Sequence, residues 1–348
     1  MYEESTSTVT GALQAANPTV FTTETLNTIL TLATKTGTNV SIQTVTADAS
    51  GNVTVAAGTE VVMIDSSDTA VTTIKPPVNA PVLIFEGKGG VIVTVDDDGA
   101  ATVPSGTGVV DRVIVGSSGN DSIIIADGKN TQVTLGSGDS TVVTGHGVDT
   151  VVAGLGDSTV TGGAGDYAVV KLAGNANNFA VTTKDGHAVI TNSATGVKTD
   201  ITKIQYVQLD NGNALVFAKD KVEASVTALF EAAFGRTADA GGLDYWFDLA
   251  RGGASLKQIA DAFVTSAEFG VNNLLSNETF INNLYNNTFG RDGEAAGMAY
   301  WLGVLNSGAT RADIVRSFAQ VHTLNVTGET ANHEATVVGN VNIVTGII

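Results

Sequence analysis

The side chains with most scope for chemistry in this chain are carboxylates set among glycines. Of 348 residues, 35 are acidic and 17 are basic, giving a net charge of −18. Asp139, Asp149, Asp157 and Asp166 each follow a Gly-rich turn, and Asn120 and Asp121 follow another just upstream. Oxygen donors held on turns suit a hard divalent cation, which wants about six to eight of them. The same charges spread over a surface simply keep a protein soluble. Other chemistry has no signature here: HExxH, GxSxG, a Walker loop and a dinucleotide fingerprint are all missing from the sequence. His146, His187, His322 and His333 are scattered across unlike segments, and Asp96-Asp97-Asp98-Gly99 is too compact for an EF-hand loop and reads as a turn. The sequence contains no cysteine, which excludes disulfides and thiolate metal sites.

The elements that must position these carboxylates repeat every nine residues from Gly136 to Lys171: GSGDSTVVT, GHGVDTVVA, GLGDSTVTG, GAGDYAVVK. Such a period predicts a solenoid whose coils are too small to bury their own apolar side and are covered by their neighbours. Val142, Val151, Val160 and Val169 share one repeat position and are expected to line one interior column. The Gly-x-Gly pairs are expected to make tight turns at positive φ, and the Val-x-x halves to form short strands.

Around this array the chain divides into four parts: a lead-in and capping helix over 1–37, a β-solenoid over 38–218 with nonads at 116–171, a helical domain over 222–320, and a tail over 321–348. Leu26, Ile29, Leu30 and Ala33 have helical spacing, with Thr22 and Thr23 available as caps, so this helix is expected to lie over the open end of the solenoid. From Val40 to about Ala218 short strands follow at roughly ten-residue spacing. Pro76-Pro77 and Pro81 interrupt them, and hairpins are expected at Asp185-Gly186 and Asn211-Gly212. The fold class expected is therefore mainly β, followed by an all-α domain.

That helical domain is internally duplicated. LFEAAFGRTADAGGLDYW from Leu229 matches LYNNTFGRDGEAAGMAYW from Leu284, at an offset of 55. Phe230 aligns with Tyr285, Phe234 with Phe289, Arg236 with Arg291, Trp246 with Trp301 and Phe263 with Phe318, positions best read as core. The arginines are expected to orient helices by hydrogen bonds. Asp239 and its counterpart Glu294 are expected to cap the following helix. The second copy lacks a counterpart of Thr265-Ser266-Ala267-Glu268-Phe269.

The nonads resemble RTX repeats, the GGxGxDxUx units of β-roll proteins, with Gly116-Ser117-Ser118-Gly119-Asn120-Asp121-Ser122-Ile123-Ile124 the best match. The resemblance covers roughly residues 110–218 and implies calcium between successive turns, held by the Asp carboxylate and backbone carbonyls. Aligned to that motif, the ligand position holds Asp121 and Asp149, but Thr131, Ser140, Ser158 and Tyr167 in the other nonads. Asp139, Asp157 and Asp166 fall one residue early, and Asn120 occupies the same early position; a shift of one on an extended backbone turns a side chain to the opposite face. Two readings stand: a degenerate β-roll keeping one or two calcium ions, or a related solenoid that needs none. The duplicated FGR–YW unit is similar to an uncharacterised helical family appended to bacterial RTX, S-layer and other secreted surface proteins.

The acidic balance argues against nucleic acid, which requires a basic footprint, and against an anionic membrane surface. No run approaches a membrane span. The amino terminus lacks the basic and apolar regions of a signal peptide, so a secreted reading needs a route that does not read it. The apolar tail ending in Ile347-Ile348 fits a C-terminal secretion signal, a strand lent to a neighbour, or a final strand of the fold. Together these features lead to the expectation of a secreted, self-assembling structural protein of a bacterial surface, not an enzyme, with copies of itself as partners. The alternative is a calcium-dependent adhesin recognising cell-surface glycan. A secreted hydrolase with its residues in 40–115 is a third reading.

Overall fold

The structure is a computed structural model and describes residues 2–34, 38–77, 79–96, 109–163, 167–321, 323, 336–338 and 341–345. The chain separates into two compact units, one of Met1–Ala173, Asn178–Val181 and His187–Ile204, the other of Gly174–Asn177, Thr182–Gly186 and Gln205–Ile348. Strands and two helices build the first unit, whereas helices and a small sheet build the second.

In the first unit, β1 (Tyr2–Ser5), α1 (Thr6–Ala16) and α2 (Thr23–Ala33) precede a run of short strands. These are β2 (Asn39–Thr46), β3 (Val61–Asp65), β4 (Thr72–Ile74), β5 (Val82–Glu86), β6 (Val91–Val95), β7 (Arg112–Val115), β8 (Ser122–Ile125), β9 (Thr131–Thr134), β10 (Ser140–Val143), β11 (Asp149–Val152), β12 (Ser158–Thr161) and β13 (Ala168–Lys171). From β3 to β13, consecutive strands alternate between two sheets. One has the order β1-β2-β3-β5-β7-β9-β11-β13, and the other runs through β4-β6-β8-β10-β12 to β16 (Lys198–Thr202). Apart from β1 on β2, the pairs in this run are parallel. Two nonads therefore make one rung: Ser158 pairs with Ser140 and Val151 with Val133, each 18 residues on.

The repeat valines form two facing columns, not one. In the first sheet Leu83, Ile114, Val133, Val151 and Val170 stack in register. In the second, Ile74, Val93, Ile123, Val142, Val160 and Ile201 do the same. Each of these side chains is buried. Alternate nonads feed opposite sheets, so Val142 and Val160 share a column that Val151 faces. Val169 leaves the pattern: one residue intervenes before β13, and Val170 takes its place opposite Val151.

The array glycines also act differently from the expectation. None of Gly136, Gly138, Gly145, Gly147, Gly154 or Gly156 has positive φ. They are needed because turns stack backbone on backbone: a Cβ on Gly154 would lie 1.8 Å from the Gly136 carbonyl oxygen, and one on Gly136 equally close to that of Ser117.

Thr22 caps α2 as expected, accepting from the Thr25 N–H. The helix is not an end lid, however. Leu26, Ile29, Leu32 and Ala33 pack with Val9, Leu13 and Phe21 onto Ile42, Val61, Val82, Ile84, Val113 and Val115, the outer face of the first sheet. Lys171 on β13 pairs with Glu24 at the start of α2, so the helix lies along the strands' stacking direction. Strands β5 and β7 are thereby buried on both faces. This explains their unbroken apolar runs, where alternation would mark a solvated face. Strands β14 (Phe179–Lys184) and β15 (His187–Asn192) flank the turn at Asp185-Gly186, both residues at positive φ.

In the second unit, β17 (Tyr206–Gln208) and β18 (Ala214–Ala218) form the hairpin expected around Asn211-Gly212. The tail returns to the same sheet: β19 (Thr336–Val338) pairs with β20 (Val341–Thr345), and β20 lies parallel to β18 with Val341, Ile343 and Val344 buried. This segment finishes its own fold, which occupies the strand that could have been lent to a neighbour. The helices are α3 (Lys221–Phe234), α4 (Ala240–Arg251), α5 (Leu256–Thr265), α6 (Asn277–Phe289), α7 (Ala295–Asn306) and α8 (Arg311–Val321).

Gly154→Ala should lower stability by about 1–3 kcal/mol or more, because its Cβ overlaps backbone that cannot rotate away. Gly11→Ala, in α1 with nothing within 4 Å, should stabilise by up to about 1 kcal/mol. Chemical denaturation of both variants checks the contrast.

Candidate functional site

Asp121, immediately before β8, and Asp149, the first residue of β11, point inward and are 3% and 0% exposed. Asp149 Oδ2 accepts the Gly145 N–H of its own turn at 2.7 Å, and Oδ1 accepts the Thr131 N–H of the preceding rung at 2.8 Å. One carboxylate thus closes a turn and ties two rungs together. Asp121 Oδ1 likewise accepts the Val91 N–H at 3.0 Å and the Ser117 hydroxyl at 2.6 Å. Its Oδ2 is buried with no hydrogen-bond partner among the described residues. Ser140 and Ser158 hold the same position in other rungs and are also buried.

Burial pushes the Asp149 carboxyl up to about 7. The Gly145 and Thr131 N–H bonds and the Arg112 charge work against that rise, while Asp127 adds to it. Burial raises Asp121 too, opposed by Ser117 and by the Val91 N–H.

The early position does different work. Asn120, Asp139 and Asp157 are exposed and form a ladder along the second sheet. Asn120 Oδ1 accepts the Asp139 N–H at 2.9 Å, Asp139 Oδ1 accepts the Asp157 N–H at 2.8 Å, and Asp157 Oδ1 accepts the Lys198 N–H at 2.8 Å. A matching ladder serves the first sheet, where Asp111 accepts from the Asn130 N–H and Asn130 from the Val148 N–H. Asp166 lies outside the described residues.

The five described candidates therefore do not converge. Asp121 and Asp149 belong to opposite sheets and face the interior, whereas Asn120, Asp139 and Asp157 face water. Asp149 does not fit the calcium that the resemblance implies, because N–H donors aim their positive ends at both of its oxygens. Asp121 offers one oxygen without a partner, far short of the set that such an ion needs. No group of three His, Cys, Asp or Glu stands together among the described residues.

The sequence reading missed a buried ion pair, Arg112 with Asp127, whose side chains are 2% and 3% exposed. Arg112 pairs in register with Thr131, inside the rung stack. A lone arginine in the apolar strand Arg-Val-Ile-Val was the available signal. Breaking such a pair from one side leaves a buried charge uncompensated. Elsewhere in this unit a cavity of about 410 Å³ lies between α1 and the first sheet, lined by Val9, Leu13, Phe21, Met63, Ile84 and Glu86.

In the second unit the duplicated positions superpose in role. The Phe263 ring meets Phe230 edge-on at 4.9 Å and Trp246 at 4.6 Å; Phe318 meets Tyr285 edge-on at 5.1 Å and Trp301 at 5.2 Å. Gly235 and Gly290 both end their helices at φ 64°. Arg236 lies over Phe230 and Phe234, and Arg291 over Tyr285 and Phe289. The copies part where the second lacks Glu268. Arg236 forks onto Glu268 at 2.7 and 3.0 Å, but the residue 55 further on is Thr323, which bonds Ser225 instead. Arg291 turns to Glu294. Asp239 accordingly caps α4 through the Gly242 N–H, while Glu294, held by arginine, makes no cap bond to α7.

Residues 217–273 and 271–322 each match a family described as a domain of unknown function (DUF4214). The two matches follow the two copies of the duplication and run from the end of β18 through the helices, so the likeness of the nonads to RTX repeats rests on their own motif. No curated protein and no solved structure matches the chain.

An Asp that ionises near 3.8 when unfolded and near 7 when folded takes up a proton on folding between those values. Stability should therefore fall as pH rises from about 4 to about 7, by at most about 4 kcal/mol from this group, and then level off. Asp149→Ser, the residue type of neighbouring rungs, should flatten the difference in melting temperature between about pH 5 and pH 8; an unchanged slope would show that Asp149 ionises like an exposed carboxylate. Calcium and a chelator should each leave the wild-type melting temperature unmoved, whereas a calcium-dependent rise of several degrees would restore the ion to the turns.

Proposed function

We propose that this chain is a secreted structural protein of a bacterial surface or extracellular matrix that assembles with copies of itself. The stacked rungs of the first unit and the helical pair of the second supply two kinds of scaffold for such a role. One observation carries the reading: apolar columns fill the space between the sheets from rung to rung, and its buried carboxylates are engaged in holding rungs and turns together, Asp149 and Asp121 by N–H groups and Asp127 by Arg112. Such an interior supports shape. Acidic, cysteine-free composition and the absence of catalytic motifs from the sequence support the same conclusion.

Two of the four strand edges narrow where copies can meet. Strand β4 has three residues and runs on to Pro76-Pro77, and β1 carries Glu3 and Glu4. Short strands, proline and charge are the devices that keep sheet edges from pairing. Growth by side-chain contact fits these features better than growth by strand addition.

Negative-stain electron microscopy of the purified full chain over a concentration series should show filaments or sheets. Dispersed particles at every concentration, together with retention on a glycan array, would replace this reading with that of an adhesin.

A further inference from the structure

The duplication supplies an internal control for one surface. Helix α4 of the first copy carries Asp244, Asp248 and Arg251; the residues 55 further on in α7 are Ala299, Gly303 and Asn306. Helix α7, Ala-Ala-Gly-Met-Ala-Tyr-Trp-Leu-Gly-Val-Leu-Asn, has no charged residue in its 12 positions. Its burial departs from that of its twin as well. Leu243 and Phe247 of α4 are 1% and 0% exposed, but their counterparts Met298 and Leu302 are only half-buried, and no residue of α7 is fully buried. Ala296, Ala299, Tyr300 and Gly303 form one exposed stripe, with Tyr300 63% exposed.

A solvated helix of this unit looks like α4, with acids on its outer side. The second copy has the same fold and the same Tyr-Trp pair, yet has lost the charges and kept the apolar residues. We infer that α7 is a contact surface for a second copy of this chain, packing α7 against α7 about a two-fold axis. This rests on the self-assembly proposed above and names the surface. Charge selects the occupant. Two chains of net charge −18 repel one another over most of their surfaces, and an uncharged helix presented by both is the place where approach costs least. Small residues on the stripe let the two backbones come close, and each Tyr300 ring can lie across the partner helix.

The area sets the strength. A helix of this length spans about 18 Å, so the crossing buries less than the ~800 Å² per partner of a stable dimer. The contact is therefore weak and concentration-dependent, and because a two-fold contact closes at a dimer, a lattice needs a second contact beside it.

Sedimentation velocity of the full chain should show reversible association. The double variant Ala299→Asp with Gly303→Asp, which restores the charges of the first copy on exposed positions, should weaken it at least tenfold with helix content unchanged by circular dichroism. Because the chain has no cysteine, Ala299→Cys should yield a disulfide-linked dimer on mild oxidation, and Asp248→Cys should not. Association that persists in the double variant, with no Ala299→Cys dimer, overturns α7 as the surface and leaves self-assembly standing by another. A wild-type chain that stays monomeric at every concentration overturns both.

Discussion

Backbone stacked on backbone at the Gly-rich turns is the constraint from which the first unit follows. Parallel strands one rung apart are fixed at sheet spacing, and the turns joining them must close up to the same distance. A carbonyl of one turn then occupies the space where the next turn's Cβ would project, as between Gly136 and Gly154. Once the turns stack, every residue position acquires a column of equivalents. The interior columns become apolar, and polar positions near the turns have a fixed neighbour one rung away.

Parity along the extended backbone decides what each polar residue does. Asp149 and Asp121 sit on the inward side, where each accepts the N–H of a neighbouring rung and a donor of its own turn. In the second sheet the residue before this position points outward, and there Asn120, Asp139 and Asp157 hand a hydrogen bond from rung to rung. Side chains of nearly identical chemistry thus have opposite duties: the inward ones bear a desolvation cost in exchange for tying turn to rung, whereas the outward ones tie rungs together in contact with water at little cost. The Arg112–Asp127 pair shows how far the interior tolerates charge when a partner is supplied.

Much of this was legible in the sequence. The nine-residue period announced stacking, Thr22 announced a cap, and the 55-residue offset announced paired helical units. What could not be read was three-dimensional bookkeeping: whether alternate nonads join one sheet or two is invisible to a period count, so Val142 and Val151 look equivalent though they face each other. The role of α2 was hidden because an amphipathic face does not say which apolar surface it covers. Strands β5 and β7 held the clue in their unbroken apolar runs. The divergence of Arg291 from Arg236 was foreshadowed by the missing counterpart of Glu268, but its effect on the α7 cap needed coordinates.

A rung made of two nonads has a consequence for how such a chain can change in length. Gain or loss of a whole rung leaves each later strand in its own sheet and lets the outer ladder rejoin one step along. Gain or loss of a single nonad sends every later strand to the opposite sheet, carrying residues shaped for one wall to the other. Length is thereby quantised: pairs of repeats can be gained or lost with every strand kept in its own sheet, and odd numbers cannot.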